Sequence, residues 1–166
     1  MNIRRAQNKD LPKVLEMNQA ALPHVSEVEF SDMKRFLEQA DPFLVIEEGE
    51  ELAGFMIVLQ KGLEYKSLNY KFFCNNYSAF DYVDRIVIAE RFRGRKFGSA
   101  LYEHLFTHSD KKMVTCEINL KPPNPDSMKF HEALGFSIVA EQATEQGKKK
   151  VAMMVRKLVK LNQESK

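Results

Sequence analysis

The feature that most constrains the fold is a strand-like stretch followed at once by a basic turn and a helical pattern. Residues 82–88 are rich in β-branched side chains and predict a buried strand. The turn at residues 91–98 combines arginines and a lysine with two glycines, and Phe97, Leu101 and Leu105 then recur at helical spacing. Backbone N–H groups at the start of a helix converge on an anion, and the helix dipole favours negative charge there. The segment therefore predicts a phosphate-binding strand–turn–helix unit, with a solvated surface loop as the alternative.

The glycine spacing of this turn excludes two well-known phosphate-binding motifs. A P-loop needs a Lys directly before its Ser or Thr, whereas Gly98 precedes Ser99 here. A dinucleotide-binding fingerprint needs three spaced glycines, and the turn has only Gly94 and Gly98. The turn must therefore bind phosphate, if it does, in a different way.

The rest of the chain alternates strands and helices, which predicts a mixed α/β domain. Helices are expected from residue 11, capped by Asn8 or Asp10, from Ser31, and from Pro125, with Asn124 as N-cap. Residues 61–80 hold six aromatic side chains without a sustained period. They predict an ordered loop or a short helical insertion, either a substrate lid or a cluster covering a sheet edge. The predicted strands cover residues 3–6, 43–47, 52–60, 82–88, 113–119, 136–141 and 150–158.

Composition limits the class of protein. The 166 residues are 44% hydrophobic and 29% charged, which suits one domain with a packed core. Because 25 Lys and Arg balance 23 Asp and Glu, the net charge of +2 argues against a nucleic-acid-binding protein. Cys74 and Cys116 have no metal-ligand spacing, and the longest apolar stretch, residues 52–59, is too short for a bilayer. We expect a cytoplasmic protein without a metal or a membrane partner.

A second motif lies near the end of the domain. Residues 124–136 carry an Asn, a Ser three residues later, an apolar–His–Glu run, and Leu-Gly-Phe. Together with the basic turn, this pattern resembles the GNAT superfamily of acyl-CoA N-acyltransferases. The second signature is complete. The first, Arg/Gln-x-x-Gly-x-Gly/Ala, matches at Arg93 and Gly98 but has Lys96 where the middle Gly is usual.

The resemblance implies a fold and an activity. The expected fold is a single α/β domain over residues 1–158, with a mixed six- to seven-stranded sheet and about four helices, followed by a polar tail at 159–166. The implied reaction transfers an acetyl or short acyl group from acetyl-CoA to a primary amine by direct attack in a ternary complex. A small-molecule amine or a peptide would be the acceptor, and the protein would be a monomer or homodimer. An acyl-CoA-binding module without turnover is the alternative, suggested by Lys96.

The resemblance also implies which residues contact the cofactor. Backbone groups of the central strand would bind pantetheine and polarise the thioester, and the basic turn would hold the pyrophosphate. The implied set is Ile86, Val87, Ile88, Arg93, Gly94, Arg95, Lys96, Phe97, Gly98, Ser99, Asn119, Asn124, Ser127, Phe130 and His131.

Four residues are candidates for proton transfer. Asp84 and Glu117 lie on predicted central strands, where an acidic side chain is costly unless it has a partner, and either is a candidate base. An ion pair between Asp84 and Arg85 is the alternative, and ordered water could replace a dedicated base. His131 stands where relatives place the acid for the thiolate, and Tyr82 is a further acid candidate. His131 would otherwise only pack beside the cofactor.

Overall fold

The computed structural model describes residues 1–159, so the predicted tail, apart from Val159, lies outside the described residues. The strands are β1 (Asn2–Arg5), β2 (Phe43–Glu48), β3 (Glu51–Gln60), β4 (Asp81–Ile88), β5 (Met113–Lys121), β6 (Ser137–Thr144) and β7 (Lys149–Lys157). The α-helices are α1 (Leu11–Ala20), α2 (Phe30–Gln39), α3 (Leu68–Asn76), α4 (Phe97–His108) and α5 (Pro125–Ala133).

The seven strands form one mixed sheet in the order β1-β2-β3-β4-β5-β7-β6. Strands β1, β2 and β3 pair antiparallel, as do β5, β7 and β6. Strand β4 pairs parallel with β5, where Asp81 lies opposite Val114 and Tyr82 opposite Thr115. The predicted α/β fold with a mixed sheet is confirmed, and seven strands fall within the expected range.

The chain divides into two compact units. The first contains residues 1–59 and 83–108, and its core is built from apolar side chains of β2, β3, α1 and α4, such as Val14, Phe55 and Leu101. The second contains residues 60–82 and, among the described residues, 109–159. Tyr70 of α3 and Met153 of β7 are at most 1% exposed in that second core.

The aromatic segment differs in part from the sequence prediction. Residues 68–76 form α3, which brings the α-helices between residues 1 and 159 to five rather than about four. Ser67 caps this helix, because its hydroxyl accepts a hydrogen bond from the Tyr70 N–H at 3.2 Å. The two buried residues of α3, Tyr70 and Phe73, are three positions apart and share one side of the helix, whereas Leu68 is 57% exposed. The apolar pattern is therefore short, and this explains why no sustained period was visible in the sequence.

The predicted start of α2 was wrong by one to two residues. Ser31 was expected to cap the helix, but the cap is Glu29. Asp32 accepts a hydrogen bond from the Glu29 N–H at 2.8 Å, and the Glu29 side chain in turn binds the Asp32 backbone, which forms a capping box. The carboxylates of this reciprocal pair therefore displace the serine from the capping position.

The helix signals near the end of the domain are confirmed. Asn124 caps α5 by accepting from the Ser127 N–H at 3.4 Å, and Pro125 occupies the first helical position. Gly135 follows the helix with φ at 94°, a conformation that favours glycine. Among the described residues, no helix is both long enough and apolar enough to cross a membrane.

Candidate functional site

The basic turn connects β4 to α4 in the first unit. After a short 3-10 turn at residues 90–92, the backbone adopts positive φ at Gly94 (75°) and at Lys96 (69°). Left-handed backbone costs a residue with a side chain roughly 1–2 kcal/mol relative to the ordinary helical region. Lys96 therefore occupies a position whose backbone shape favours glycine. Successive N–H groups in such a turn form a concave surface suited to an anion.

Arg91 and Arg95 of the turn lie over the Phe92 ring, with Cζ at 4.6 and 5.4 Å from its centre, and both also form exposed ion pairs. Arg91 and Arg95 form ion pairs with glutamates at the ends of the β2–β3 hairpin, and their side chains are 64% and 51% exposed. Exposed pairs of this kind contribute only about 0–1 kcal/mol, so a phosphate can replace the glutamate partner. Arg93 differs, because its Nε donates to the Ile88 carbonyl at 3.0 Å and ties the turn to the end of β4.

The end of β4 lies very close to β3. A Cβ atom at Gly54 would be 2.6 Å from the Val87 carbonyl oxygen and 2.6 Å from Ile88 Cδ1. Only glycine therefore allows the backbone of β3 to approach this part of β4. Ile86, Val87 and Ile88, which were predicted to contact the cofactor through their backbone, are thus held in a fixed position within the first unit.

Asp84 is engaged in a buried ion pair. Its Oδ2 accepts a hydrogen bond from Arg85 Nε at 2.7 Å, and the two side chains are 4% and 3% exposed. This is the ion pair that sequence analysis raised as the alternative to a catalytic role. Removing the Asp84 carboxylate would leave the guanidinium buried without this counterion, which is costly.

Tyr82 and Glu117 are brought together in the second unit. The Tyr82 hydroxyl donates to Glu117 Oε1 at 2.6 Å, across the parallel pairing of β4 with β5. Tyr82 is fully buried, and its ring packs against Tyr70 and Phe73 at centroid distances of 5.4 and 5.7 Å. Glu117 is partly exposed, unlike its strand neighbour Cys116. The Glu117 carboxylate is therefore oriented by a buried phenol.

His131 is buried on α5, with 2% of its surface exposed. Its Nδ1–H donates to the Ser127 carbonyl at 2.8 Å, because a carbonyl oxygen can only accept. Burial lowers the pKa of His131, and the Ser127 carbonyl opposes that shift only in part. The ring is therefore neutral near pH 7, with its proton on Nδ1. Phe130 and Phe136 lie edge-on to the imidazole at 5.1 and 5.4 Å.

The remaining predicted residues are in the expected elements. Ser99 lies in the first turn of α4 and is half-buried, and Asn119 lies on β5, where its carbonyl accepts from the Asn124 N–H at 3.2 Å. The structure thus joins Tyr82 with Glu117, Ser127 with His131, and Arg93 with Ile88. Within residues 1–159, no group of three or more His, Cys, Asp or Glu side chains is arranged to hold a metal ion.

Sequence analysis missed the reach of Arg85. Beyond Asp84, its guanidinium binds Asn18 and Ser26, far from it in sequence. The available signal was Asn18, a polar residue following Leu11, Val14 and Leu15 on the apolar side of a predicted helix. A fully buried Asn requires hydrogen-bond partners, and Arg85 is one of them.

A comparison with family models decides the family. Residues 8–136 match the model described as Acetyltransferase (GNAT) family, which is more than half of the chain. The chain belongs to the acetyltransferase (GNAT) family. The resemblance inferred from the two sequence motifs is confirmed. A comparison with curated proteins found no match.

Solved structures of GNAT N-acetyltransferases share this fold. Ard1 from Thermoplasma volcanium has a TM-score of 0.77 at 18% identity, covering 96% of this chain and 98% of that one. The ribosomal-protein-S18-alanine N-acetyltransferase from Escherichia coli has a TM-score of 0.71 at 16% identity, covering 96% and 94%. The NatB acetyltransferase complex bound to CoA and MES has a TM-score of 0.75 at 16% identity, covering 96% and 100%. At these identities the similarity shows the fold alone.

Proposed function

We propose that this GNAT protein is an N-acetyltransferase that moves the acetyl group of acetyl-CoA to a primary amine by direct attack in a ternary complex. The observation that carries the proposal is the pairing of Glu117 with Tyr82. Glu117 is a partly exposed residue, and its carboxylate, held at 2.6 Å by the hydroxyl of the buried Tyr82, would accept a proton from an incoming ammonium group.

The proposed reaction balances as follows. Glu117 removes a proton from the ammonium group, and the neutral amine attacks the thioester carbonyl. A C–N bond forms, the C–S bond breaks, and the sulfur leaves as a thiolate. The new amide nitrogen loses a second proton while the thiolate gains one, so that one proton in total reaches solvent. Tyr82 keeps the carboxylate of Glu117 in one orientation throughout.

The proposed cofactor contacts follow the sequence prediction, and the acetyl-CoA thioester supplies the activated acyl group when bound. The fit rests on the backbone shape at Gly94 and Lys96, and on arginines whose weak surface pairs a phosphate can replace. In the first unit the proposed contacts are Ile86, Val87, Ile88, Arg93, Gly94, Arg95, Lys96, Phe97, Gly98 and Ser99. In the second unit they are Asn119, Asn124, Ser127, Phe130 and His131.

We propose a limited catalytic role for His131. A pKa lowered by burial makes the protonated ring a stronger acid, but only a small fraction carries the second proton near pH 7. Its Nδ1–H is already donated to Ser127. His131 as proton donor to the thiolate is therefore the weaker part of the predicted catalytic set, and so is Asp84, which is paired with Arg85.

For the acceptor we propose a primary amine on a small molecule or a peptide. The carboxylate of Glu117 suits a cationic amine, which supports this class. The Escherichia coli neighbour is named for acetylating an alanine of ribosomal protein S18, so the fold is compatible with peptide acceptors. A cytoplasmic location and a monomeric or homodimeric state remain the predictions made from the sequence.

The test combines binding and turnover. Calorimetry with acetyl-CoA is expected to show saturable binding, and a panel of small amines and peptide N-termini is expected to include at least one that releases CoA thiol. CoA without the acetyl group serves as the binding control. Absence of saturable binding would refute the proposal, and binding without thiol release across the panel would favour the second candidate.

The second candidate is an acyl-CoA-binding module without turnover. The observation that favours it is Lys96 at φ 69°, which brings a side chain to the turn proposed to hold the pyrophosphate. Two variants separate charge from backbone shape, since Lys96→Ala and Lys96→Gly both remove the ammonium but only glycine relieves the left-handed backbone. If both weaken acetyl-CoA binding equally, the ammonium contacts a phosphate. If Lys96→Gly alone binds more tightly than the native protein, the Lys side chain obstructs the turn.

A further inference from the structure

Arg85 is the buried cation of the first unit that joins three separate segments. The residue is 5% exposed, and its Cζ lies 5.3 Å from the centre of the Phe36 ring of α2. Its Nε donates to Asp84 at 2.7 Å, and its Nη1 donates to Asn18 Oδ1 at 2.9 Å. A planar guanidinium can serve several acceptors in fixed directions, which an ammonium group cannot do.

The third segment is the connection between α1 and α2. Arg85 Nη1 donates to the Ser26 carbonyl at 3.1 Å, and Nη2 donates to the Ser26 hydroxyl at 3.0 Å. Asn18 adds a bond of 3.1 Å from its Nδ2 to the same Ser26 carbonyl. Residues 25–29 have no regular secondary structure, so side chains provide much of what holds this stretch in place.

Arg85 also lies on the strand that carries the proposed reaction site. On one side of it along β4 is Asp84, and on the other begins the backbone of Ile86, Val87 and Ile88, which is proposed to contact the thioester. A displacement of the Arg85 side chain would therefore act on the irregular connection and on β4 together. Shifts of about 1 Å in a reacting geometry can cost two orders of magnitude in rate.

We propose that Arg85 is a positioning residue for acetyl transfer, which fixes the Asp84 carboxylate and the α1–α2 connection against β4. This inference rests on the proposed function for its kinetic consequence but not for its structural one. Arg85 does not exchange protons with the acceptor. It acts through the segments that it holds.

Arg85→Lys tests the proposal because it keeps the charge beside Asp84 but loses the planar array of donors. We expect hydrogen exchange of the amides in residues 21–29 to become faster by about tenfold or more, because bonds that close this segment are lost. We expect kcat to fall about 10- to 100-fold through misplacement. The Kd for acetyl-CoA should stay within about twofold, since a residue that only positions the reaction changes kcat rather than cofactor binding.

Ser26→Ala is the gentler variant, because Ser26 is exposed and only its hydroxyl bond to Nη2 is lost. Ser26→Ala is expected to speed hydrogen exchange in residues 21–29 and to lower kcat, as Arg85→Lys does, but by smaller factors. Arg4→Lys is the matched control, since Arg4 also donates to carboxylates, at 2.8 Å to Asp10 and 3.2 Å to Glu47, away from β4. This control should leave exchange in residues 21–29 and kcat at native values.

The outcomes separate the two proposals. If Arg85→Lys and Ser26→Ala exchange at the native rate in residues 21–29, or if both keep the native kcat, Arg85 is not a positioning residue. If Arg4→Lys lowers kcat equally, the effect belongs to general stability and the inference fails. A native protein that binds acetyl-CoA without turnover would overturn the proposed function instead, and the exchange measurements would still decide whether Arg85 holds the connection.

Discussion

The carboxylates of Asp84 and Glu117 occupy similar positions in the predicted strands but have different surroundings. Both lie on central strands, and both were predicted as bases. Asp84 is 2.7 Å from a buried guanidinium, whereas Glu117 is 2.6 Å from the hydroxyl of Tyr82. Loss of the Asp84 charge would remove the counterion beside a buried guanidinium. The Glu117 carboxylate is oriented by a hydroxyl group on the neighbouring strand. The partner of each carboxylate therefore favours a structural role for Asp84 and a chemical role for Glu117.

Glu117→Gln should cause the largest fall in kcat. The amide keeps the size of the side chain and an oxygen for the Tyr82 hydroxyl, but it cannot accept a proton from the amine. We expect kcat to fall about 10²- to 10⁴-fold, the usual contribution of a general base. Steady-state release of CoA thiol at saturating acetyl-CoA measures this fall in kcat. The Kd for acetyl-CoA is expected to stay near the native value.

Glu103→Gln is the matched control, because Glu103 is exposed on α4. It makes the same chemical change without a buried hydroxyl partner and should leave kcat unchanged. Native turnover in Glu117→Gln would remove Glu117 as the base and leave deprotonation to ordered water.

Asp84→Asn should have the opposite effect to Glu117→Gln, with a large loss in the free energy of unfolding and a small fall in kcat. The amide removes the counterion of a guanidinium that is 3% exposed in its side chain. Breaking a buried pair by removing one partner costs roughly 3–5 kcal/mol, and the retained oxygen acceptor places this variant at the lower end. Urea unfolding measures the loss, and kcat at a temperature where the variant is folded should fall less than tenfold. A fall in kcat as large as that of Glu117→Gln would make Asp84 the base.

Tyr82→Phe should have an intermediate effect on rate. The ring stays packed against Tyr70 and Phe73, but the hydrogen bond that orients Glu117 is lost. A hydrogen bond to a charged group contributes about 1.5–3 kcal/mol, so a fall in kcat of about 10- to 100-fold is expected. Tyr70→Phe is the control, because its hydroxyl binds the backbone at Gln60 and Leu63 rather than the carboxylate. Equal losses in both variants would mean that ring packing, not the bond to Glu117, sets the rate.

Much of the fold was predictable because local signals agreed with the global pattern. The β2–β3 hairpin at Gly49 and the two ends of α5 are each specified by individual residues that have one strong conformational preference. The start of α2 and the existence of α3 were not predictable in this way. Glu29 caps its helix through a reciprocal bond with Asp32, and α3 packs through Tyr70 and Phe73 against the ring of Tyr82. Both depend on contacts that a one-dimensional period does not record.

The sequence offered candidate residues for the site but only one of the pairings between them. The sequence placed Asp84 and Glu117 on central strands, where either could serve as a base. The pairing of Asp84 with Arg85 was an alternative raised from the sequence, whereas the bond from Tyr82 to Glu117 was not predicted. Hydrogen bonds between residues 35 or 67 positions apart, such as Tyr82 to Glu117 and Arg85 to Asn18, leave no trace in local patterns.

His131 must be separated from Glu117 before a loss of activity in acid is attributed to the carboxylate. Burial lowers the pKa of His131, so the folded protein resists a proton that the unfolded chain accepts at about pH 6.5. The contribution of His131 to the free energy of unfolding is therefore fully present above that pH and is lost as the pH falls towards the pKa of the folded state. We expect the native Tm to be lower at pH 5.5 than at pH 7.5, by a margin that shrinks in His131→Gln.

The control for this last effect is His104→Gln. Burial and the neighbouring His108 also lower the pKa of His104, but that ring is half-exposed on α4 and should contribute less. Comparing each variant with itself at the two pH values cancels any packing loss that is independent of pH. If His131→Gln keeps the full native margin, protonation of His131 does not drive the acid loss of stability. Any parallel loss of activity that survives in His131→Gln at a temperature where it is folded would then belong to Glu117 or the acceptor.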